Sequence, residues 1–577
     1  MATPEIASAV AEQKPQTVQG NSRAGLLGRP VGWTISIAVF LAIGILRIVA
    51  TYPVFNHTID EPSHIAGGIE WWEKGTYTLE PKHTPLARVS VALGPYLAGV
   101  RGTGATRWQD TYPILSENGQ YWRNLTLGRL GVLPYFVIAT LAVFFWTKRL
   151  YGARAGLIAA GIFTLLPTIL AHSSNATTDV ALTAMFGCSL YAFTWWLREP
   201  NFRSAALFGM FTGLALATKL STLVFLPACG LPILIAYARS QRTRWRDLLK
   251  TAAVVVLAAF LSLWAVYRFS HAPLSQATGL PDRITSKLFG KESRITSLEQ
   301  AISRHVPVPA PEFLDGIRML RDQNRQGSRG YLLGRVKDGG WWYFFFVAVA
   351  VKTPIAVLLL AGLGAFLSTR EFWRDPAEWE SAAPLASFVM LMLVTMPSHL
   401  DSGVRYVLPV YVCLSVLAGI GVAALWQYRN PILGRVTAAV LFLWLVGSSA
   451  FAHPDYLSYF NQFAGKDPSH VIVVGDLDWG QDYTRLATYL REHSIQQISI
   501  ASDTFFEAKP LGLPETTLLK CSDQPTGWVA MELRRVRLHP ECYQWMAQEQ
   551  LVTTVGKTML IYNVPAQNHL TSGMPGK

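Results

Sequence analysis

The sequence predicts a polytopic α-helical membrane protein of about eleven spans, with large outer-face loops and a small C-terminal α/β soluble unit. Three observations carry this. Only 15% of the 577 residues are charged while 51% are hydrophobic, and the mean hydropathy is +0.26. A soluble domain carries about 25% charge. Long apolar runs recur along the chain, and Lys and Arg gather in alternate connections between them.

Taken in order, the apolar runs long enough to cross hydrocarbon are 32–52, 128–147, 153–171, 178–197, 204–219, 220–238, 251–269, 341–367, 382–398, 404–426 and 434–452. Residues 1–31 are polar, without an apolar core, and read as a disordered tail instead of a cleaved leader. Lys148, Arg149 and Arg154 follow the second run, Arg198 and Arg203 the fourth, and Arg239, Arg242, Arg244, Arg246 and Lys250 the sixth. Arg370 and Arg374, then Arg429 and Arg435, mark two later turns. Together with Lys14, Arg23 and Arg29 they fall on one side, which the positive-inside rule makes cytoplasmic. The net charge of +13 is therefore a topology signal and not a nucleic-acid footprint.

Three larger segments then lie on the opposite side. They are a first loop (53–127), a second loop (270–340), and a tail (453–565) ahead of a disordered end (566–577); the transmembrane unit spans 32–452. Within the first loop, "PLARVSVALGPYLAGV" is too short to cross and reads as an interfacial helix. In the tail, "SHVIVVGDLDWGQDYTRLATYLREHSIQQISIASD" reads as strand, loop, helix, strand. Cys188, Cys229 and Cys413 lie in apolar runs and read as buried hydrophobes. Cys521 and Cys542 lie in the tail, and outside the cytoplasm they can pair. No internal repeat is visible.

Ionisable residues near spans are costly and mark function. Here they converge on the non-cytoplasmic face. Asp60, Glu61 and His64 follow the first span in "TIDEPSHIAGGIEWWEKGTY". His172 and Asp179 flank the turn "AHSSNATTDVAL". Lys219 sits in "GLALATKLSTL", Lys352 follows "WWYFFFVAVAV", and Arg405 and Tyr406 stand in "DSGVRYVLP". Each has a plain structural reading. Asp60 or Asp179 would cap a helix, Lys219 would snorkel, and Arg405 would anchor a span. Asp60 and Glu61 are adjacent, so on a helix they diverge; one is the chemical group and the other its support. A carboxylate here accepts a proton from a hydroxyl nucleophile, and the cations hold an anionic head group and stabilise departing negative charge. The three acids of "GDLDWGQD", Asp476, Asp478 and Asp482, lack calcium-loop spacing and read as turn and cap residues. The Asn-x-Thr triplets at Asn56, Asn124 and Asn175 carry no weight.

In these segments the chain resembles the phospholipid-carrier-dependent, GT-C-fold glycosyltransferases, specifically bacterial relatives of the dolichyl-phosphate-mannose protein mannosyltransferases (glycosyltransferase family 39). "TIDEPSHIAGGIEWWEKGTY" resembles the family's Asp-Glu segment. "KHTPLARVSVAL" is similar to its His-Pro-Pro-Leu segment, with Thr84 in place of the first proline. "NATTDVALTAMF", "GLALATKLSTLVFLP", "YLLGRVKDGGWWYFFFVAVAVKTP" and "SGVRYVLPVYVCLSVLAG" follow in family order. "YFNQFAGKDPSHVIVVGDLDWGQDYTRLATYL" looks like the tail of a bacterial subgroup.

The resemblance implies inverting transfer of a sugar from a polyprenyl phosphate to an acceptor hydroxyl on protein, lipid or glycan, at the outer face of a bacterial inner membrane. It implies Asp60 as general base, with Glu61 and Asp179 completing the acidic set. Lys219 and Arg405 are expected on the donor phosphate, and His64, His83, Arg88, Lys352 and Tyr406 are expected to line the substrate. His83 stands where aminoarabinose-transferring relatives carry a metal-binding carboxylate, so a divalent metal is expected there or His83 is plainly structural. No other cofactor and no nucleic acid is implied. The competing class is a polyprenyl-lipid flippase or transporter. Transporter sites tend to lie at the midplane between repeats, whereas these charges cluster at one face.

Overall fold

In a computed structural model of the protein, residues 30–102, 104, 108–240, 243–273 and 306–565 are described. The expected N-terminal tail up to residue 29, the 274–305 part of the second loop and the end 566–577 lie outside the described residues, as do Lys14, Arg23, Arg29 and Arg242.

The described chain is mainly a bundle of apolar helices. Eight are long and apolar enough to cross a membrane: Gly32–Val49, Tyr121–Leu165, Asp179–Arg198, Thr222–Arg239, Trp245–Val266, Ile355–Arg374, Pro376–Thr395 and Pro431–Phe451. Phe202–Leu216 and Val410–Trp426 are apolar but shorter. The exterior is oily: Leu443, Val256, Leu257 and Val440 are exposed on helix faces that carry no charge. The interior packs Trp146, Phe136, Phe163, Phe186 and Tyr411 with essentially no exposure. This multi-pass architecture follows from composition, because a helix satisfies its own backbone where no water can.

The expected boundaries need three corrections. Runs 128–147 and 153–171 join into Leu133–Leu165, interrupted at Tyr151 and Gly152, where the glycine takes φ 83°, a conformation its missing Cβ permits. The second of these runs stops at Leu166, and Pro167–Ser173 starts a separate short helix. The expected span 341–367 is two pieces, Phe344–Lys352 and Ile355–Arg374, parted at Thr353–Pro354. Proline removes a helical N–H and disfavours helix in the residue before it. The first piece has nine residues, about 13 Å, far short of a bilayer.

The first loop forms two helices, Glu61–Lys74 and Pro85–Leu97. The second is 13 residues long, about 20 Å, consistent with the expected interfacial helix. The two pack so closely that a Cβ on Gly68 would collide with the Arg88 carbonyl.

The tail is a five-stranded mixed sheet in the order Glu515–Leu518, Gln497–Ala501, Gly527–Glu532, Met559–Val564, Leu551–Val555. The first three strands run parallel and the last two pairings are antiparallel. Helix Tyr483–Glu492 buries Tyr483, Leu486 and Leu490 among Ile498, Ile500 and Ile561. Cys521 and Cys542 are disulfide-bonded. One expected strand is absent: "VIVVGD" curls instead, with the Val473 carbonyl accepting the N–H groups of Leu477 and Asp478, both at 3.0 Å. Its apolar side chains are buried all the same, which is why the run mimics a strand.

Candidate functional site

The site begins where Gly32–Val49 hands over to the first loop. Asp60 precedes helix Glu61–Lys74 but makes no side-chain cap bond. Its carboxylate instead meets the guanidinium of Arg405 in an ion pair and remains 30% exposed. Burial alone would raise its pKa, but Arg405, His64 and His83 outweigh it and hold the carboxyl well below its usual range. The capping alternative for Asp60 is thereby replaced by a pairing that no local pattern displays.

Glu61 faces the other way. It is fully buried and accepts from Arg129 Nε (2.9 Å) and Nη2 (3.0 Å), from the Thr58 N–H (2.7 Å) and from the Ala176 N–H (2.8 Å). Arg129 also donates to the carbonyls of Phe55 (2.9 Å) and Asn56 (2.7 Å). This carboxylate has no lone pair to spare for chemistry, so Glu61 leaves the catalytic set and becomes the support. It pins the 55–61 turn to the 174–178 turn, and thus Asp60 near Asp179.

Asp179 opens helix Asp179–Arg198 without capping it. Its carboxylate takes the Lys219 ammonium at 2.7 Å, and the Thr177 hydroxyl donates to it at 3.3 Å. Lys219 lies between helices Phe202–Leu216 and Thr222–Arg239, with its ammonium 4.8 Å from the Tyr406 ring centroid. Tyr406 also flanks Arg405, at 5.4 Å. Tyr406 therefore stands between the two ion pairs, and the structure brings Asp60, Arg405, Asp179, Lys219 and Tyr406 into one cluster.

Arg405 has a second neighbour from the tail: its guanidinium lies over the Trp479 ring at 4.2 Å. The Trp479 carbonyl accepts the Ile59 N–H at 3.2 Å. The tail is locked in place by Asn56, which donates to the Gly480 carbonyl (2.7 Å) and accepts the Tyr483 N–H (2.8 Å). The acids of "GDLDWGQD" serve the backbone, as their turn-and-cap reading expects. Asp476 accepts the Val404 N–H at 3.0 Å, Asp478 those of Gly480 (3.0 Å) and Arg534 (2.8 Å), and Asp482 that of Lys557 (2.9 Å).

Two expected substrate contacts prove structural. Arg88 is fully buried in an ion pair with Glu80, and its Nε donates to His64 Nδ1 at 3.0 Å. Lys352 is buried, and its ammonium donates to the carbonyls of Leu457 (2.6 Å) and Asp476 (2.7 Å), tying Phe344–Lys352 to the tail. Both are correctly placed as costly buried cations, but each spends its donors on protein oxygens.

His64 and His83 meet edge to face, with ring centroids 5.1 Å apart. Burial first, and then the Arg88 charge, pushes both imidazoles well below their usual pKa, so both are neutral. Among the described residues no three His, Cys, Asp or Glu side chains gather on one point. The metal expectation at His83 thus finds one neighbour, Glu80 at 3.9 Å, whose carboxylate already serves Arg88.

Sequence reasoning missed Arg129, Trp479 and Asn56. Arg129 had a signal, a cation inside the apolar run "LTLGRLGVLPYF". Trp479 and Asn56 had none, since each acts on a segment hundreds of residues away.

Residues 125–265 match the family model described as dolichyl-phosphate-mannose-protein mannosyltransferase, a stretch that includes Arg129, Asp179 and Lys219. No curated protein matches the sequence. Among solved structures, the chain is similar to ArnT from Cupriavidus metallidurans bound to undecaprenyl phosphate, at 12% identity over 92% of this chain and 98% of that one, with a TM-score of 0.46. It is also similar to the oligosaccharyltransferase AglB from Archaeoglobus fulgidus in complex with an inhibitory peptide and a dolichol-phosphate, at 10% identity over 86% and 69%, with a TM-score of 0.47. A third likeness is to the S. cerevisiae protein O-mannosyltransferase Pmt1-Pmt2 complex bound to the sugar donor, at 16% identity over 41% and 33%, with a TM-score of 0.33. With the family match over the stretch that supplies the Asp179–Lys219 pair, the chain is a membrane glycosyltransferase of the GT-C kind that draws on lipid-phosphate donors.

Proposed function

We propose that the protein moves a sugar from a polyprenyl phosphate to an acceptor hydroxyl with inversion, at the periplasmic face of a bacterial inner membrane, with Asp60 as general base. The observation that carries this is the pairing of Asp60 with Arg405 beside Asp179–Lys219. It sets one partly exposed carboxylate and two cations around a single point at the end of an apolar bundle. The arginine-rich turns support the orientation, since the loops bearing the site alternate with them.

In this reading the acceptor oxygen attacks the anomeric carbon and passes its proton to Asp60. The bond from that carbon to the phosphate oxygen breaks, and the phosphate keeps the electron pair. Lys219 and Arg405 receive the growing negative charge, the role of preorganised cations in phosphate departure. Asp179 holds the Lys219 ammonium in place at 2.7 Å. A carboxylate gripped by arginine is a weak base, and catalysis is best served by a pKa nearer the working pH. A phosphate shared with Arg405 loosens that grip, so donor binding itself raises the basicity of Asp60.

The test is full-length protein in nanodiscs with a panel of radiolabelled polyprenyl-phosphate sugars and membrane extract as acceptor, wild type beside Asp60→Asn. Loss of label from one donor, abolished in the variant, supports the assignment and identifies the sugar. Solute or lipid translocation without cleavage of any donor would replace it with transport.

A further inference from the structure

His172 lies at the end of the short helix Pro167–Ser173, seven residues before Asp179, and has no place in the mechanism so far. It is buried, and its Nδ1 is a buried nitrogen without a hydrogen-bond partner. The neighbouring Ser173 hydroxyl is likewise buried and unpartnered. Buried polar atoms are nearly always satisfied, so such a pair calls for an explanation.

Position supplies one. The His172 ring stands edge-on to Trp479, with centroids 5.9 Å apart, and Trp479 is the ring beneath the Arg405 guanidinium. The turn between His172 and Asp179 is fixed by the bond from the Ala176 N–H to Glu61. The imidazole is therefore held among both ion pairs. The charges it feels are Asp179 on one side of the balance and Arg405, Lys352 and Lys219 on the other. Burial is the largest influence, and with those cations it holds the ring down to about 3 against the pull of Asp179. A neutral imidazole carries one N–H. An unpaired acceptor nitrogen is better tolerated in an interior than an unpaired N–H, so the proton belongs on Nε2 and Nδ1 is the bare acceptor. The site thus holds a neutral donor beside two cations.

We infer that His172 is a donor-binding residue, presenting its Nε2–H to a phosphoryl oxygen of the lipid phosphate alongside Lys219 and Arg405. This rests on the transferase reading above. Three donors then surround the phosphate, one of them uncharged. The neutral member adds direction without adding repulsion between cations.

The experiment measures binding of undecaprenyl phosphate to full-length protein in nanodiscs, together with donor and acceptor KM and kcat, for wild type, His172→Phe and His172→Gln. Phenylalanine keeps a ring against Trp479 and removes the N–H, while glutamine restores an N–H donor. A hydrogen bond to a charged group gives about a 10- to 100-fold effect. His172→Phe is accordingly expected to bind undecaprenyl phosphate about 10- to 100-fold more weakly, with the acceptor KM unchanged, and His172→Gln is expected to recover most of the loss. The pH profiles of wild type and His172→Gln should coincide from pH 5 to 8, since no imidazole titrates there. Wild-type affinity in His172→Phe, or equal damage in both variants, overturns the inference and leaves His172 a packing residue. Failure of the wild type to bind undecaprenyl phosphate or to consume any donor removes the transferase reading itself, a result separable from the first because it appears without any substitution.

Discussion

Asp60 and Arg405 are 345 residues apart in the chain and form one ion pair, with the arginine lying over Trp479 from the tail. Three segments that share no local pattern thereby fix the orientation of a single carboxylate. Asp60→Asn keeps size and polarity but removes the base, and transfer is expected to fall by about 10²- to 10⁴-fold. Folded yield in detergent should be unchanged, because Asp60 caps nothing. A variant that retains full transfer would leave Asp60 a mere counter-ion to Arg405.

Arg405→Lys keeps the charge and loses the flat guanidinium that covers Trp479. The two cations are not interchangeable at a stacked, paired site. The donor KM is expected to rise at least about tenfold, with a drop in kcat, since the same group serves phosphate binding and departure. Steady-state kinetics against donor concentration checks this.

Glu61 and Arg129 behave differently from Asp60 although Glu61 is its neighbour. Both are fully buried and bonded to each other. Removing one partner leaves an unpaired buried charge, a loss of about 3–5 kcal/mol. Glu61→Leu and Arg129→Met alone are each expected to lower the melting midpoint sharply, and the double variant to recover part of the loss. The midpoints are read by scanning fluorimetry. If Glu61→Leu stays fully folded but inactive, Glu61 returns to the catalytic set.

Asn56 holds the tail through the Gly480 carbonyl and the Tyr483 N–H. Asn56→Ala strands both groups, a loss of about 1–3 kcal/mol for each buried orphan. Limited proteolysis should then cut the 453–565 unit faster than in wild type. Activity should fall with it, because Trp479 would no longer be fixed beneath Arg405.

Asp401 gives a pH signature. One of its oxygens accepts the Trp341 N–H at 2.7 Å and the other is buried without a partner. Burial raises its pKa from 3.8 to about 6, against the N–H bond and the charges of His399 and Lys337. The folded state therefore prefers the protonated acid. Its contribution is complete below about pH 4 and is lost as pH rises through about 6, a change of about 2–3 kcal/mol. The wild-type midpoint should fall relative to Asp401→Asn between pH 5 and 7.5. Parallel curves would show that the carboxyl ionises freely.

The sequence by itself determined the helical membrane architecture, the alternation of basic turns and the cluster of charges at one face. These follow from composition and period, which act locally along the chain: an apolar run in lipid has no choice but helix. It also named Asp60, Asp179, Lys219, Arg405 and Tyr406, because ionisable groups beside spans are too costly to be idle. Only the tertiary structure decided which cation serves which carboxylate. Glu61 and Asp60 are equal as letters, but the turn at Ala176 and the buried Arg129 take every lone pair of one and leave the other open. Arg88 and Lys352 read as substrate contacts for the same reason that they are structural: a buried cation must find oxygen, and a sequence does not say whether that oxygen belongs to substrate or to protein. The Trp479 contact and the Asn56 clamp were invisible because they depend on where a separate soluble unit comes to rest, which long-range packing sets and no local pattern encodes.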